Sequence, residues 1–173
     1  MIPKIIHYIW LEEKIIPASF LEYLEEIKKL NPSFKHIYWG RELIEKYKND
    51  KSIQLYLKEK NNIDFITNKI KLLTLKEFGG IFLNLDLKYI KSFDKMYNQI
   101  DVENISFLSL TKQKEEHWQN PWYINFELIG SSKNSRLIDL ALKANTLEQA
   151  SLNIMDNMDY DVCFIGKKYF NKL

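Results

Sequence analysis

Cysteine is nearly absent: Cys163 is the only one in 173 residues. No internal disulfide can form, and no cysteine-based zinc cluster can be built. Within Val162-Cys163-Phe164-Ile165 the lone thiol reads as a small core residue. Long apolar runs are missing too, since none reaches the ~18–20 residues of a membrane span. The start, MIPKIIHYIW, is too short and too mixed for a secretory leader. The expected location is therefore the cytoplasm, with peripheral attachment to a membrane left open. Nor is there an excess of charge of either sign. Against 25 Lys and Arg stand 23 Asp and Glu, a formal net charge of +2. That balance gives no whole-protein reason to expect nucleic acid, and doublets such as Lys167-Lys168 read as solvated faces. Glycine is scarce, at five residues, and forms neither a P-loop nor a dinucleotide fingerprint. Gly79-Gly80 precedes a strand instead of opening a helix. No Ser-His-Asp or Cys-His nucleophile system is apparent, and there are no repeats, low-complexity segments or linkers.

What is present is apolar and aromatic. Hydrophobic residues make up 46% of the chain and aromatics 14%, which suits one globular domain with a sizeable core. Residues 4–10 read as a buried first strand. A helix over 20–30, with Ser19 as its cap and Asn31-Pro32 as its stop, leads to a second strand over 34–39. That is the length of a βαβ crossover. Residues 41–60 read as one or two short helices broken near Asn49-Asp50. A further helix begins at Phe65 or Thr67, runs to Glu77 and stops at Gly79 in a left-handed conformation. Residues 81–85 are apolar but for Asn84, which predicts a central strand buried on both faces. Strands over 105–110, 124–129 and 163–165 and a helix over 135–143 complete an α/β pattern.

The chemistry gathers in FGGIFLNLDLKYI (78–90), at Asn84-Leu85-Asp86. Residues two apart in a strand point to one side, so Asn84 and Asp86 project together where the apolar strand ends. Open α/β sheets bind ligands beyond the carboxyl ends of their strands, and hard cations take oxygen ligands. One amide and one carboxylate make a weaker cation site than two carboxylates. A turn entry with a capping carboxylate is the other reading. Trp10, at the end of the first strand, is open to two readings as well, a core residue or a ligand-stacking face. His7 and His36 fall in strands, where satisfied core packing is the simpler account. His117 lies beside Trp118 in a loop that ends near Trp122; it is either an acceptor-side wall or a loop pinned by its aromatics.

Three stretches, IPKIIHYIW (2–10), NPSFKHIYW (31–39) and FGGIFLNLDL (78–87), occur in an order that resembles the glycosyltransferases with a DXD-containing sugar-binding region. These include capsule and lipopolysaccharide transferases, yeast initiating mannosyltransferases and clostridial toxin catalytic domains. The resemblance spans roughly residues 2–95. It implies a GT-A-like, Rossmann-like single domain over 1–173, with a mostly parallel central sheet flanked by helices. It also implies retaining transfer of a sugar from a nucleotide-diphosphate donor (UDP or GDP type) to a glycan acceptor in polysaccharide assembly, aided by weakly held Mn²⁺ or Mg²⁺. By position, Trp10 would stack on the nucleotide base, while Asn68 would meet donor-sugar hydroxyls and Lys71 sugar and diphosphate. Phe82 would stand where the family has Tyr, and Asn84 and Asp86 would be the metal-facing DXD pair. The polar positions depart together: two Asp are Asn, one Arg is Lys and the Tyr hydroxyl is lost. Nothing after Ile129 matches the His and the Ser-Trp pair that many members carry near the C-terminus, so the domain is expected to be shortened there. A catalytically impaired relative that serves as a binding or scaffold module is the second expectation.

Overall fold

The structure is a computed structural model that describes residues 1–11, 15–59, 62–84, 87–89, 91–98, 104–113, 122–159, 162–165 and 170–172. Strand β1 (Ile5–Ile9), helix α1 (Ala18–Leu30) and strand β2 (Lys35–Trp39) form the predicted crossover. The two strands pair in parallel from Ile5 opposite Lys35 to Ile9 opposite Trp39. The helix begins one residue before the predicted Ser19 cap, behind Pro17, and no side chain caps it. Proline has φ preset near the helical value and no N–H to leave unsatisfied at this end. Its C-terminus is closed by Asn31, whose buried Nδ2 donates to Ile27 O at 3.0 Å. The same side chain accepts from Phe93 N at 2.6 Å and so ties α1 to a later helix.

Residues 41–60 do form two helices, α2 (Glu42–Lys46) and α3 (Lys51–Glu59). Asp50 makes the break by accepting from Ser52 N and Ile53 N at 2.9 and 3.3 Å, as a helix cap does. Helix α4 (Ile63–Phe78) starts earlier than predicted because Asn62, at φ 54°, accepts from Phe65 N and caps it. Gly79 ends it with φ 66°, the positive value expected of a glycine stop. Its ψ of −165° is extended, however, and throws the chain directly into strand β3 (Gly80–Leu83).

Further on come β4 (Leu87–Tyr89), α5 (Phe93–Tyr97), β5 (Phe107–Gln113), β6 (Trp122–Ser131), α6 (Arg136–Leu142), α7 (Leu147–Met155), β7 (Val162–Ile165) and β8 (Phe170–Lys172). Six strands form one sheet in the order β2-β1-β3-β6-β5-β7, and β4 pairs with β8 apart from it. Five of the six run one way and β6 alone opposes them. The sheet is mostly parallel, as predicted. Every residue of β3 is buried. Ile81 and Leu83 enter a core with Tyr23, Leu24 and Ile27 of α1 and Phe93 and Met96 of α5. Phe82 enters the opposite core with Ile66 and Ile70 of α4, Leu137 of α6 and Ile154 of α7. The sheet is therefore covered by helices on both faces, which is why its central strand reads as a continuous apolar run. No helix among the described residues is long and apolar enough to cross a membrane.

His7 is one of the polar groups that this packing buries completely. Trp39 Nε1–H donates to its Nδ1 at 3.0 Å. The proton therefore sits on Nε2, which donates to Gly79 O at 2.8 Å. The ring stacks on Phe82 at 4.9 Å, and burial holds its pKa down at about 4. His36 is likewise satisfied, between Tyr8 Oη at 2.9 Å and Asn31 O at 3.0 Å. Both histidines in the strands are structural.

Candidate functional site

Two parallel strands deliver polar or aromatic residues to the same edge of the sheet. Trp10 follows the last residue of β1, and its N–H donates to Trp39 O at 3.0 Å. Asn84 follows the last residue of β3, and its N–H donates to Glu127 O of β6 at 2.9 Å. Each is held one step beyond the regular sheet by a backbone hydrogen bond to a neighbouring strand. The carboxyl edge of such a sheet is where ligands bind in open α/β folds.

Helix α4 supplies the facing wall. Asp64, Thr67, Asn68 and Lys71 stand at i, i+3, i+4 and i+7, one stripe of an α-helix. With Trp10, Asn84, Phe20 of α1, Ile9, Leu11 and Ile63 they line a cavity of about 430 Å³. That size suits a small-molecule site. Trp10 is half-buried and meets Phe20 edge-on, with ring centroids 5.6 Å apart. Its position on the wall fits a stacking face better than a core residue.

The polar groups are specifically arranged. Asn68 Nδ2 donates to Asp64 O at 2.9 Å, which fixes the orientation of the amide. Its Oδ1 then lies buried with no hydrogen-bond partner among the described residues. A buried acceptor without a donor is costly, and a hydroxyl in the cavity would satisfy it. Lys71 is 2% exposed. Its Nζ donates to Asn84 Oδ1 and, at 3.2 Å, to Phe126 O. The second acceptor is available because β6 bulges: Ile129 pairs with Ser109 and Asn125 with Leu110, leaving Phe126, Glu127 and Leu128 without a β5 partner. Bulges of this kind redirect backbone next to functional sites.

Of the residues the sequence pointed to, Trp10, Asn68, Lys71 and Asn84 come together in this cavity. Phe82 does not line it. It points to the same side of β3 as Asn84 but lies two residues deeper, fully buried against His7. An aromatic ring without a hydroxyl belongs in that core, since it has no polar end to bring to the surface. Asp86 lies outside the described residues, as do His117 and Trp118. Sequence reasoning missed Asp64, the carboxylate among the cavity residues, and the apolar wall of Ile9, Leu11, Phe20 and Ile63. Asp64 could have been found by stepping back one turn from Asn68. Phe20 and the rest carried no signal, because their contact with Trp10 is made only by the tertiary fold.

Comparison with known proteins identifies the fold and the family. Among solved structures, the PaToxG glycosyltransferase superposes with a TM-score of 0.61 at 18% identity, over 91% of this chain and 70% of that one. A galactosyltransferase, LgtC, determined with donor and acceptor sugar analogues, gives 0.57 at 10% identity, over 95% and 74%. Likenesses at such identities establish the fold, which is GT-A. In sequence, the chain is 30% identical over 165 residues to an uncharacterised glycosyltransferase of Acanthamoeba polyphaga mimivirus. That match takes in 91% of this chain and 61% of the viral protein, so the chain spans less than two thirds of that relative's length. Residues 17–106 match the family model of the glycosyltransferase sugar-binding region containing a DXD motif. With just over half its length in that match, and the fold to go with it, the chain belongs to this glycosyltransferase family.

Proposed function

We propose that the cavity is a donor site and that the chain transfers a sugar from a UDP- or GDP-type nucleotide sugar to a glycan hydroxyl with retention of configuration. The observation that carries this reading is the convergence of Trp10, Asn68, Lys71 and Asn84 at the carboxyl edge of the sheet. Each offers what one part of such a donor needs. The Trp10 face takes the base by stacking. Asn68 Oδ1 accepts from a sugar hydroxyl, which supplies the donor it lacks. Lys71 brings a positive charge to the diphosphate. In the transfer, the bond between the anomeric carbon and the diphosphate oxygen breaks and its electron pair leaves with the nucleoside diphosphate. The acceptor oxygen bonds to that carbon and passes its proton to the departing diphosphate. Lys71 stabilises the charge that grows on the leaving group, and this is the term that favours the transition state over the bound donor.

A binding module that holds the same donor without turning it over is the second reading. The observation favouring it is the Lys71–Asn84 contact, which puts an amide where the family has a carboxylate. Titration of UDP, GDP and their sugars, followed by assay of donor hydrolysis and transfer, separates the two. Binding with release of nucleoside diphosphate supports the transferase. Binding without it leaves the module, and no nucleotide binding at millimolar concentration removes both.

A further inference from the structure

Asp64 lines the cavity, but the donor-site reading gives it no part. It stands exposed in the first turn of α4, one turn before Asn68 and two before Lys71. At 1.5 Å per residue, Lys71 lies about 10 Å further along the helix. The backbone oxygen of Asp64 accepts from Asn68 Nδ2, whereas among the described residues its carboxylate takes part in no hydrogen bond or ion pair. A carboxylate accepts hydrogen bonds and donates none. It repels a diphosphate, so in an occupied cavity it faces a neutral part of the ligand that carries hydroxyl or N–H donors. The neighbouring walls narrow the choice. Ile63 and Leu11 line the cavity from the apolar cluster on the α4 side of the sheet, and Trp10 lines it from the cluster on the α1 side. Such walls suit the faces of a base, and the group covalently next to a nucleotide's base is its ribose.

We propose that the Asp64 carboxylate accepts from the vicinal 2′- and 3′-hydroxyls of the donor's ribose and makes this site selective for ribonucleotides over deoxyribonucleotides. The inference rests on the donor-site reading above and deepens it. That reading gives the base to Trp10, the diphosphate to Lys71 and the transferred sugar to Asn68, which leaves the ribose without a partner. Ribose joins base to diphosphate, and Asp64 stands where the apolar walls meet the polar stripe that runs to Lys71. Two adjacent hydroxyls match the two carboxylate oxygens, and an acidic side chain takes the ribose of dinucleotides in other open α/β sheets. Hydrogen bonds to a carboxylate are charge-assisted and stronger than neutral ones. Because the carboxylate has no partner among the described residues, none of those bonds is broken when the ribose arrives.

The test is calorimetric titration of UDP and GDP, and of their 2′-deoxy and 3′-deoxy analogues, into the purified chain with Mn²⁺ in excess. Each deoxy analogue is expected to bind the unsubstituted chain about tenfold more weakly than its parent. In Asp64→Ala the parent nucleotides are expected to weaken at least about tenfold, while parent and deoxy affinities converge to within about twofold. A merely structural part for Asp64 would lower all of these affinities together and leave their ratio unchanged, which overturns the inference. Equal binding of parent and deoxy nucleotides by the unsubstituted chain overturns it as well, and needs no variant. Loss of GDP affinity in Asp64→Ala with UDP affinity and the deoxy ratios intact assigns the carboxylate to the N–H edge of a guanine and also overturns it. In each of these cases the donor-site reading stands, because a nucleotide still binds. Absence of nucleotide binding in every titration removes both.

Discussion

At the scale of single residues, the position that matters most is Asn84. The sequence shows only that an amide stands where a carboxylate is usual, which reads as a weakened cation ligand. The structure gives its oxygen to Lys71. Trp10 is the other decisive residue. It is half-buried on the cavity wall, meets Phe20 edge-on and packs with it against the margin of the core on the α1 side of the sheet. Trp10→Ala is expected to weaken nucleotide binding about tenfold or more, as loss of a base–aromatic stack does. Its effect on stability is expected to be about 1–3 kcal/mol, short of unfolding, because the ring is only partly buried against the core. Global unfolding in circular dichroism would instead make Trp10 a core residue.

At the scale of elements, the junction between α4 and β3 sets the site's geometry. Gly79 and Gly80 have φ of 66° and 100°, a region that side chains rarely adopt. A Cβ on Gly79 would come within 2.8 Å of Pro3 Cδ and 2.9 Å of the Lys133 backbone nitrogen. On Gly80 it would meet Ile5 O at 2.8 Å and His7 Nε2 at 2.9 Å. The helix can pass straight into the central strand only because both positions lack a side chain, and this passage sets Lys71 opposite Asn84. Gly79→Ala is expected to cost about 2 kcal/mol or more through strain and contact, read as a lowered urea midpoint. An unchanged midpoint would mean that Pro3 and residues near Lys133 yield freely. Boundaries of other elements were also legible once caps are considered. Thr146 accepts from Gln149 N at 3.1 Å and starts α7, so the Thr-x-x-Gln pattern marked a helix that apolar spacing alone did not reveal. Strands β4 and β8 could not be found that way. They are three residues each and exist by pairing with one another across the chain.

At the scale of the whole molecule, His7 links three parts of the fold: β1, Trp39 of β2 and the glycine turn after α4. In the unfolded chain its imidazole takes up a proton as pH falls past 6.5, whereas in the fold burial keeps it neutral until about 4. Between those values the unfolded state binds more protons, so stability falls as pH falls. The window predicts a loss of about 3 kcal/mol from this residue. Urea unfolding from pH 7 to pH 4 should show that slope, and His7→Phe, although less stable throughout, should show it reduced. Equal slopes in the two proteins would mean that His7 is protonated in the fold.

The sequence by itself determined the α/β pattern, the crossover at the start, the buried central strand and four of the cavity residues. Each of these depends on local regularities: the period of apolar positions, a glycine stop, a polar end to an apolar run. Those regularities survive in one dimension because backbone geometry fixes where successive side chains point. Only the tertiary structure decided what the site residues do to one another. Lys71 and Asn84 stand thirteen positions apart, and Phe126 is fifty-five from Lys71. Whether an amide oxygen is open to a metal or engaged by an ammonium depends on where a helix, a strand end and a bulge meet, and that is a matter of packing across the sheet, not of spacing along the chain.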